Sequence, residues 1–202
     1  MIAIIDYGSG NLRSVYNAFR YIGEDVLIAE TPGALVSAER IVLPGVGAVR
    51  DALDGLNKGG FVEQILAEIK KGKPFLGLCL GLQLLFDESE ESGGAACFGL
   101  IKGEVKKFPA VKNLKVPHMG WNTVDIKNDM CPLFKGIKNN SYFYFVHSYY
   151  CDALDGRYSV GKTRYGLEFT SAVWKENVFA LQFHPERSQA NGLKLLRNFV
   201  NI

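Results

Sequence analysis

In the segment Gly77-Leu78-Cys79-Leu80-Gly81 a cysteine sits between two glycines at the end of an apolar run. That is the pattern of a nucleophile carried on a tight strand-to-helix turn, where the flanking glycines relieve crowding. Such a turn exposes Cys79, lets the helix dipole favour a thiolate, and aims the Leu80 amide at a developing oxyanion. A cysteine in an apolar run is ordinarily core. Here two glycines that weaken a strand and add nothing to packing favour the chemical reading. A thiol nucleophile needs a base, and the base needs an orienting partner. His184-Pro185-Glu186 offers both, because the proline holds His184 extended and side chains two apart on an extended chain point the same way. On its own, that triplet is equally well a histidine at a strand end followed by an exposed glutamate. A third element, Leu43-Pro44-Gly45-Val46-Gly47, ends a strand in glycines that let backbone amides approach a ligand, with a plain tight turn as the alternative.

The elements that must position these residues follow from hydrophobic period. Short apolar runs, each followed by a turn and a helix-period segment, predict parallel strands with crossover helices. Met1 to Ile5, Val26 to Ala29, Ile41 to Leu43 and Phe75 to Leu78 read as strands. Leu12, Val15, Phe19 and Ile22 define one helix, Phe61, Ile65, Leu66 and Ile69 a second, and a third should begin at or just after Cys79. From Gly99 to Pro185 the segments are β-type, as in Tyr142 to Val146, Leu167 to Trp174 and Val178 to Phe183, with a hairpin turn at Lys175-Glu176-Asn177. Leu193, Leu196, Phe199 and Val200 give a closing helix. The expectation is one α/β domain over 1–202: a mostly parallel central sheet flanked by helices, with an antiparallel β extension. The acidic run Asp87 to Glu91 reads as a solvated helix end.

Composition narrows the partners. With 202 residues the chain can bury roughly 70% of its unfolded surface, enough for a full core. Basic residues number 23 and acidic ones 21, so the large basic excess of a phosphate-backbone binder is missing and nucleic acid is not an expected partner. The longest apolar stretch, Phe75 to Phe86, is too short to cross a bilayer, and Met1 to Ile5 does not read as a secretory signal, so a cytoplasmic location is expected. Four cysteines lack Cys-x-x-Cys spacing and only three histidines accompany them, which argues against a metal cluster or disulfide scaffold. In Gly8-x-Gly10-x-x-Arg13 arginine replaces the third glycine of the dinucleotide fingerprint, so no cofactor is expected. His118 and His147, among aromatic neighbours, read as packed and hydrogen-bonded.

Taken together, the segments Ile5 to Leu12, Leu43 to Gly47, Pro74 to Phe86, Val116 to Asn122, Tyr144 to Tyr149 and Gln182 to Glu186 resemble the class I, triad-type glutamine amidotransferases nearly end to end. The resemblance implies a flavodoxin-like core and a glutaminase with Cys79 as nucleophile, His184 as base and then acid, and Glu186 as its orienting carboxylate. It further implies that Gln83, Ser148 and Tyr149 hold L-glutamine, while Gly45, Val46, Gly47 and Leu80 form the oxyanion site. The more specific segments, Asp6-Tyr7-Gly8-Ser9-Gly10-Asn11 and Pro117-His118-Met119-Gly120-Trp121-Asn122, imply a cyclase subunit of histidine biosynthesis as partner. It would use ammonia to make imidazole glycerol phosphate and an aminoimidazole carboxamide ribotide, with Asn11, Trp121 and Arg187 facing it. Relatives usually carry lysine where Arg187 stands, so a planar fork replaces a point charge. The sequence leaves open a synthase that amidates sugars or makes pyridoxal phosphate, a non-catalytic α/β binding module, and a cysteine hydrolase of peptides or esters.

Overall fold

The computed structural model describes residues 1–8, 11–110 and 114–202. Strand β1 (Ile2–Ile5) is buried on both faces: Ile2 and Ile4 enter one hydrophobic cluster, Ala3 and Ile5 the other. Two covered faces abolish polar alternation, which is why the interior strands read as unbroken apolar runs. Helix α1 (Leu12–Tyr21) turns Val15, Ala18 and Phe19 inward and leads to β2 (Val26–Ala29), parallel to β1. A single turn, α2 (Ala34–Ser37), precedes β3 (Arg40–Leu43), which pairs parallel on the other side of β1. Helices α3 (Val49–Lys58) and α4 (Phe61–Lys70) cover the Ala3 and Ile5 face, and β4 (Phe75–Leu78) joins β3 in parallel.

Helix α3 has no counterpart in the sequence reading. Its stripe of Val49, Ala52 and Leu56 is interrupted by Gly55 and diluted by Asp51, Asp54 and Asn57. Gly55 is there for packing, since a Cβ would stand 2.6 Å from the Tyr7 carbonyl oxygen. The helix after Cys79 is only one turn, α5 (Leu80–Gln83). It stops because the amides of Phe98 and Ile101 take the carbonyls of Leu84 and Leu85, both at 2.9 Å. The acidic run therefore cannot be a helix end, and that expectation is corrected: Glu88–Ser89 form β5, Ser89 is buried, and Glu91 opens a 3-10 turn.

The chain continues through β6 (Ala95–Ala96), β7 (Gly103–Lys107), β8 (His118–Ile126), β9 (Ser141–His147) and β10 (Tyr149–Ala153). Then come β11 (Ser159–Tyr165), β12 (Leu167–Lys175), β13 (Val178–Leu181) and α6 (Gln189–Val200). The long sheet runs β2-β1-β3-β4-β13-β12-β10-β7-β5-β6. Its first five strands are mutually parallel; β12 folds back antiparallel on β13 through a two-residue turn at Glu176 and Asn177. Strand β12 also pairs with β11, which leads to β8 and β9, so the antiparallel extension branches. The expected α/β architecture holds. Among the described residues no helix is long and apolar enough to cross a membrane.

Candidate active site

The carboxyl ends of the parallel strands form the crevice in which ligands of open α/β sheets bind. At the end of β4, Cys79 takes φ 52° and ψ −100°, a region that costs a non-glycine residue about 1–3 kcal/mol. Three bonds hold it there: its N–H donates to the Leu181 carbonyl at 2.7 Å, and its own carbonyl accepts from Leu82 and Gln83 at 3.0 and 3.3 Å. The flanking glycines are a steric requirement. A Cβ at Gly77 would lie 2.5 Å from the Gly81 carbonyl oxygen, and one at Gly81 2.2 Å from that of Leu43. The sulfur is nearly buried, 3.8 Å from the Val146 carbonyl and 3.6 Å from the side-chain amide of Gln182.

His184 follows β13 in extended conformation, at φ −102° and ψ 97°, whereas Pro185–Arg187 form one 3-10 turn and not the extended chain expected. Proline's fixed φ suits a first helical position, so the turn begins at once. The His184 backbone is clamped on both sides. Its N–H donates to the Tyr144 carbonyl at 2.9 Å, and its carbonyl accepts from the Ser188 hydroxyl, whose oxygen accepts the Tyr144 N–H at 3.0 Å. Nδ1 lies 2.8 Å from Glu186 Oε1; a carboxylate only accepts, so Nδ1 carries the proton and Nε2 is left for the sulfur side. Nε2 is buried and makes no hydrogen bond of regular geometry. Burial opposes charge on this imidazole, but the Cys79 sulfur and the Glu186 carboxylate outweigh it and raise the pKa to about 10.

A cavity of about 290 Å³ opens beside the sulfur, bounded by Val46, Gly47, Leu80 and Gln83 on one side and Val146, Ser148 and Tyr149 on the other. Gln83 is buried and its amide donates to the Tyr149 carbonyl at 3.2 Å and to Gln182 Oε1 at 3.3 Å. The Leu80 N–H is not open to a ligand: it is 3.4 Å from the Gly45 carbonyl oxygen, so an acceptor occupies the place expected for a second donor. Glu91 also lines the cavity. Its carboxylate accepts the Val49 N–H at 2.7 Å, and burial still raises its pKa.

Behind Tyr149 lies a one-way chain of donors. The Tyr149 carbonyl can only accept, so the His147 Nδ1 at 2.7 Å bears hydrogen and its Nε2 is bare. That bare nitrogen, 2.9 Å from His118 Nδ1, makes His118 the next donor, and His118 Nε2 in turn accepts from the Asn122 amide at 3.2 Å. Both rings are buried among Phe145, Phe108 and Tyr165. Burial holds His118 at about 4 and His147 at about 3, keeping both neutral.

Thus Cys79, His184, Glu186, Gln83, Leu80, Ser148 and Tyr149 converge, with Gly45 to Gly47 along one edge. Asn11 is drawn in as well, its amide 3.5 Å from Glu186 Oε1. Arg187 is exposed one residue beyond Glu186, and Trp121 is 46% exposed on β8, edge-on to Tyr144. Ser9 and Gly10 of the Asp6 to Asn11 turn lie outside the described residues. Two residues gained no role from sequence. Glu91 had no local signal, because the groups it serves are remote in the chain. Gln182 did have one, standing two residues before His184 on an extended stretch and so on the same side.

A strained cysteine after a parallel strand, with a carboxylate-held imidazole that feels its sulfur and a small cavity beside it, is the arrangement that a thiol nucleophile and its base require. The chain belongs to the class-I glutamine amidotransferase family, whose profile matches residues 3–202. It is similar to the imidazole glycerol phosphate synthase subunit HisH of Syntrophotalea carbinolica, at 50% identity covering 100% of both chains. To the subunit of the same name from Methanocaldococcus jannaschii it is 51% identical, again over 100% of both. Among solved structures it shares the fold of PurLQS from Thermotoga maritima, with TM-score 0.79 at 19% identity over 99% of this chain and 97% of that one.

Proposed function

We propose that the chain is the glutaminase subunit of an imidazole glycerol phosphate synthase of histidine biosynthesis. Full-length identity of about one half to subunits of that name supports the assignment. The observation that carries the chemistry is the buried Cys79, His184 and Glu186 array, whose cysteine lines a small cavity.

In this reading the raised pKa of His184 reflects transfer of the Cys79 proton to its Nε2, and the resulting thiolate attacks the side-chain carboxamide carbon of L-glutamine. The tetrahedral oxyanion collapses as His184 hands the proton to the departing nitrogen, which leaves as ammonia and a glutamyl thioester. Water, deprotonated by His184, cleaves the thioester to glutamate and regenerates the thiol. Glu186 keeps Nδ1 protonated so that Nε2 faces the sulfur throughout. Ser148 and Tyr149 offer backbone to the amino-acid end of the substrate, Gln83 fixes that wall, and Glu91 supplies a carboxylate for the ammonium group. Ammonia in bulk water becomes ammonium, which is not nucleophilic, so the product is useful only to a synthase seated over the cavity. The partner is a cyclase subunit, met in the cytoplasm across the face that carries Asn11, Trp121 and Arg187.

The bond from Leu80 N–H to the Gly45 carbonyl describes a resting site, since it takes up a donor the oxyanion needs. Turning the Gly45 to Gly47 backbone would free Leu80 and replace an acceptor with a second donor; one oxyanion donor is worth about 10²–10³ in rate. Glutamate release is measured with the chain alone and with the cyclase and its nucleotide ligand. The rate should rise by at least that factor, and equal rates would refute the gated reading.

A further inference from the structure

We propose that Gln182 is a fourth working side chain of this site: its amide N–H binds the Cys79 sulfur and stabilises the thiolate from which attack begins. The proposal rests on the glutaminase reading and adds a donor to it. A donor is needed because the helix behind Cys79 is a single turn, too short for much dipole, and because the Leu80 N–H already serves Gly45.

The orientation of the Gln182 amide follows from its neighbours. Gln83 Nε2 donates to the Tyr149 carbonyl, so the nitrogen is correctly assigned, and the Gln182 atom it meets at 3.3 Å must be oxygen. Cys151 Sγ lies 3.9 Å from the same oxygen. Full burial pushes the Cys151 thiol well above its ordinary range, so it remains an S–H donor. With two donors on its oxygen, Gln182 turns its nitrogen to Cys79 Sγ at 3.6 Å. The residue is completely buried and its backbone N–H is fixed to the Ser171 carbonyl at 2.9 Å, so the donor is in place before substrate arrives.

Besides Gln182 and His184, the sulfur has a polar neighbour in the Val146 carbonyl at 3.8 Å, an acceptor. It suits the thiol and opposes the thiolate. When the thiol proton moves to His184, the Val146 contact turns unfavourable while the Gln182 contact becomes a charge-assisted bond, roughly twice as strong as a neutral one. Gln182 thus favours the charged sulfur over the neutral one.

The test uses the full chain carrying Gln182→Met, which is close in size but cannot donate. Labelling of Cys79 by iodoacetamide is followed against pH by mass spectrometry, alongside glutaminase kinetics. The pH of half-maximal labelling should rise by about one unit, and kcat at pH 7 should fall about tenfold with KM within twofold. Raising the pH should restore much of that loss, which a packing defect would not do. An unchanged labelling curve overturns the proposal. Should Gln182→Met fail to fold, the unsubstituted chain labelled with 15N-glutamine still decides: one side-chain amide proton must shift along the labelling curve, and must stop doing so in Cys79→Ser. Its absence overturns the proposal equally. Turnover surviving in Cys79→Ala would instead overturn the glutaminase reading itself.

Discussion

Acid should destabilise this chain through His118 and His147. Both are neutral in the folded state, at about 4 and about 3, against about 6.5 for an imidazole in the unfolded chain. The folded values lie below the unfolded one, so between them the unfolded chain binds more protons and stability falls as pH drops. The loss starts near pH 6.5 and runs down to the folded values. Each pH unit inside that window costs about 1.4 kcal/mol per ring, so moving from pH 7.5 to 5 removes about 2 kcal/mol for each and about 4 for the pair. That is a large part of a typical 5–15 kcal/mol stability. His184, raised to about 10, has the opposite sign and gains stability as pH falls, so wild type alone does not isolate the pair. Comparison with His147→Gln does, because His184 is common to both. Urea unfolding at pH 7.5 and pH 5 should show the wild type losing about 2 kcal/mol more than the variant across that interval. Equal losses would refute the neutral, one-way chain behind Tyr149.

Three further perturbations address the site itself. Gly81→Ala places a Cβ 2.2 Å from the Leu43 carbonyl oxygen, so α5 must move; turnover should fall at least a hundredfold with a lowered melting temperature, and normal turnover would contradict the close approach. Glu186→Gln keeps the shape but no longer enforces a proton on His184 Nδ1, so steady-state kinetics should show kcat down by about 10²–10⁴ with KM little changed. Glu91→Gln can still accept from Val49 but loses its charge, so KM for glutamine should rise about tenfold. A glutamine analogue lacking the amino group should show no such difference between Glu91→Gln and wild type.

What the sequence discloses about this site is what residue type alone decides. Gly77 and Gly81 are legible because the crowding they relieve is local to the turn, and His184 because Pro185 restricts the residue before it. Uniformly apolar β1 betrays its two covered faces. Helix α3 escapes notice because Gly55 serves a contact with Tyr7 rather than the helix, breaking the pattern by which a helix is read. The acidic run misleads for a related reason: charge suggests solvent, yet Ser89 is buried in a strand and Glu91 serves Val49, 42 residues away. The bond between Leu80 and Gly45 is beyond any sequence, since it depends on which way a peptide plane faces.

Both halves of the chain are needed to make one site. The parallel half brings Cys79, Gln182 and His184 to adjacent strand ends, because β4 and β13 are neighbours and the Cys79 amide is tied to Leu181. It has nothing of its own to form the opposite wall. Strands β9 and β10 supply that wall at Val146, Ser148 and Tyr149, and the Tyr144 backbone at their base is what fixes His184. The Tyr149 carbonyl then receives Gln83 from the parallel half and His147 from the antiparallel half, the latter backed by His118 on β8. Residues 119 and 121 of that strand are exposed. Displacing β8 against β9 would part the two imidazoles at 2.9 Å and so loosen one of the two donors that hold the cavity wall, with no change at the sulfur itself.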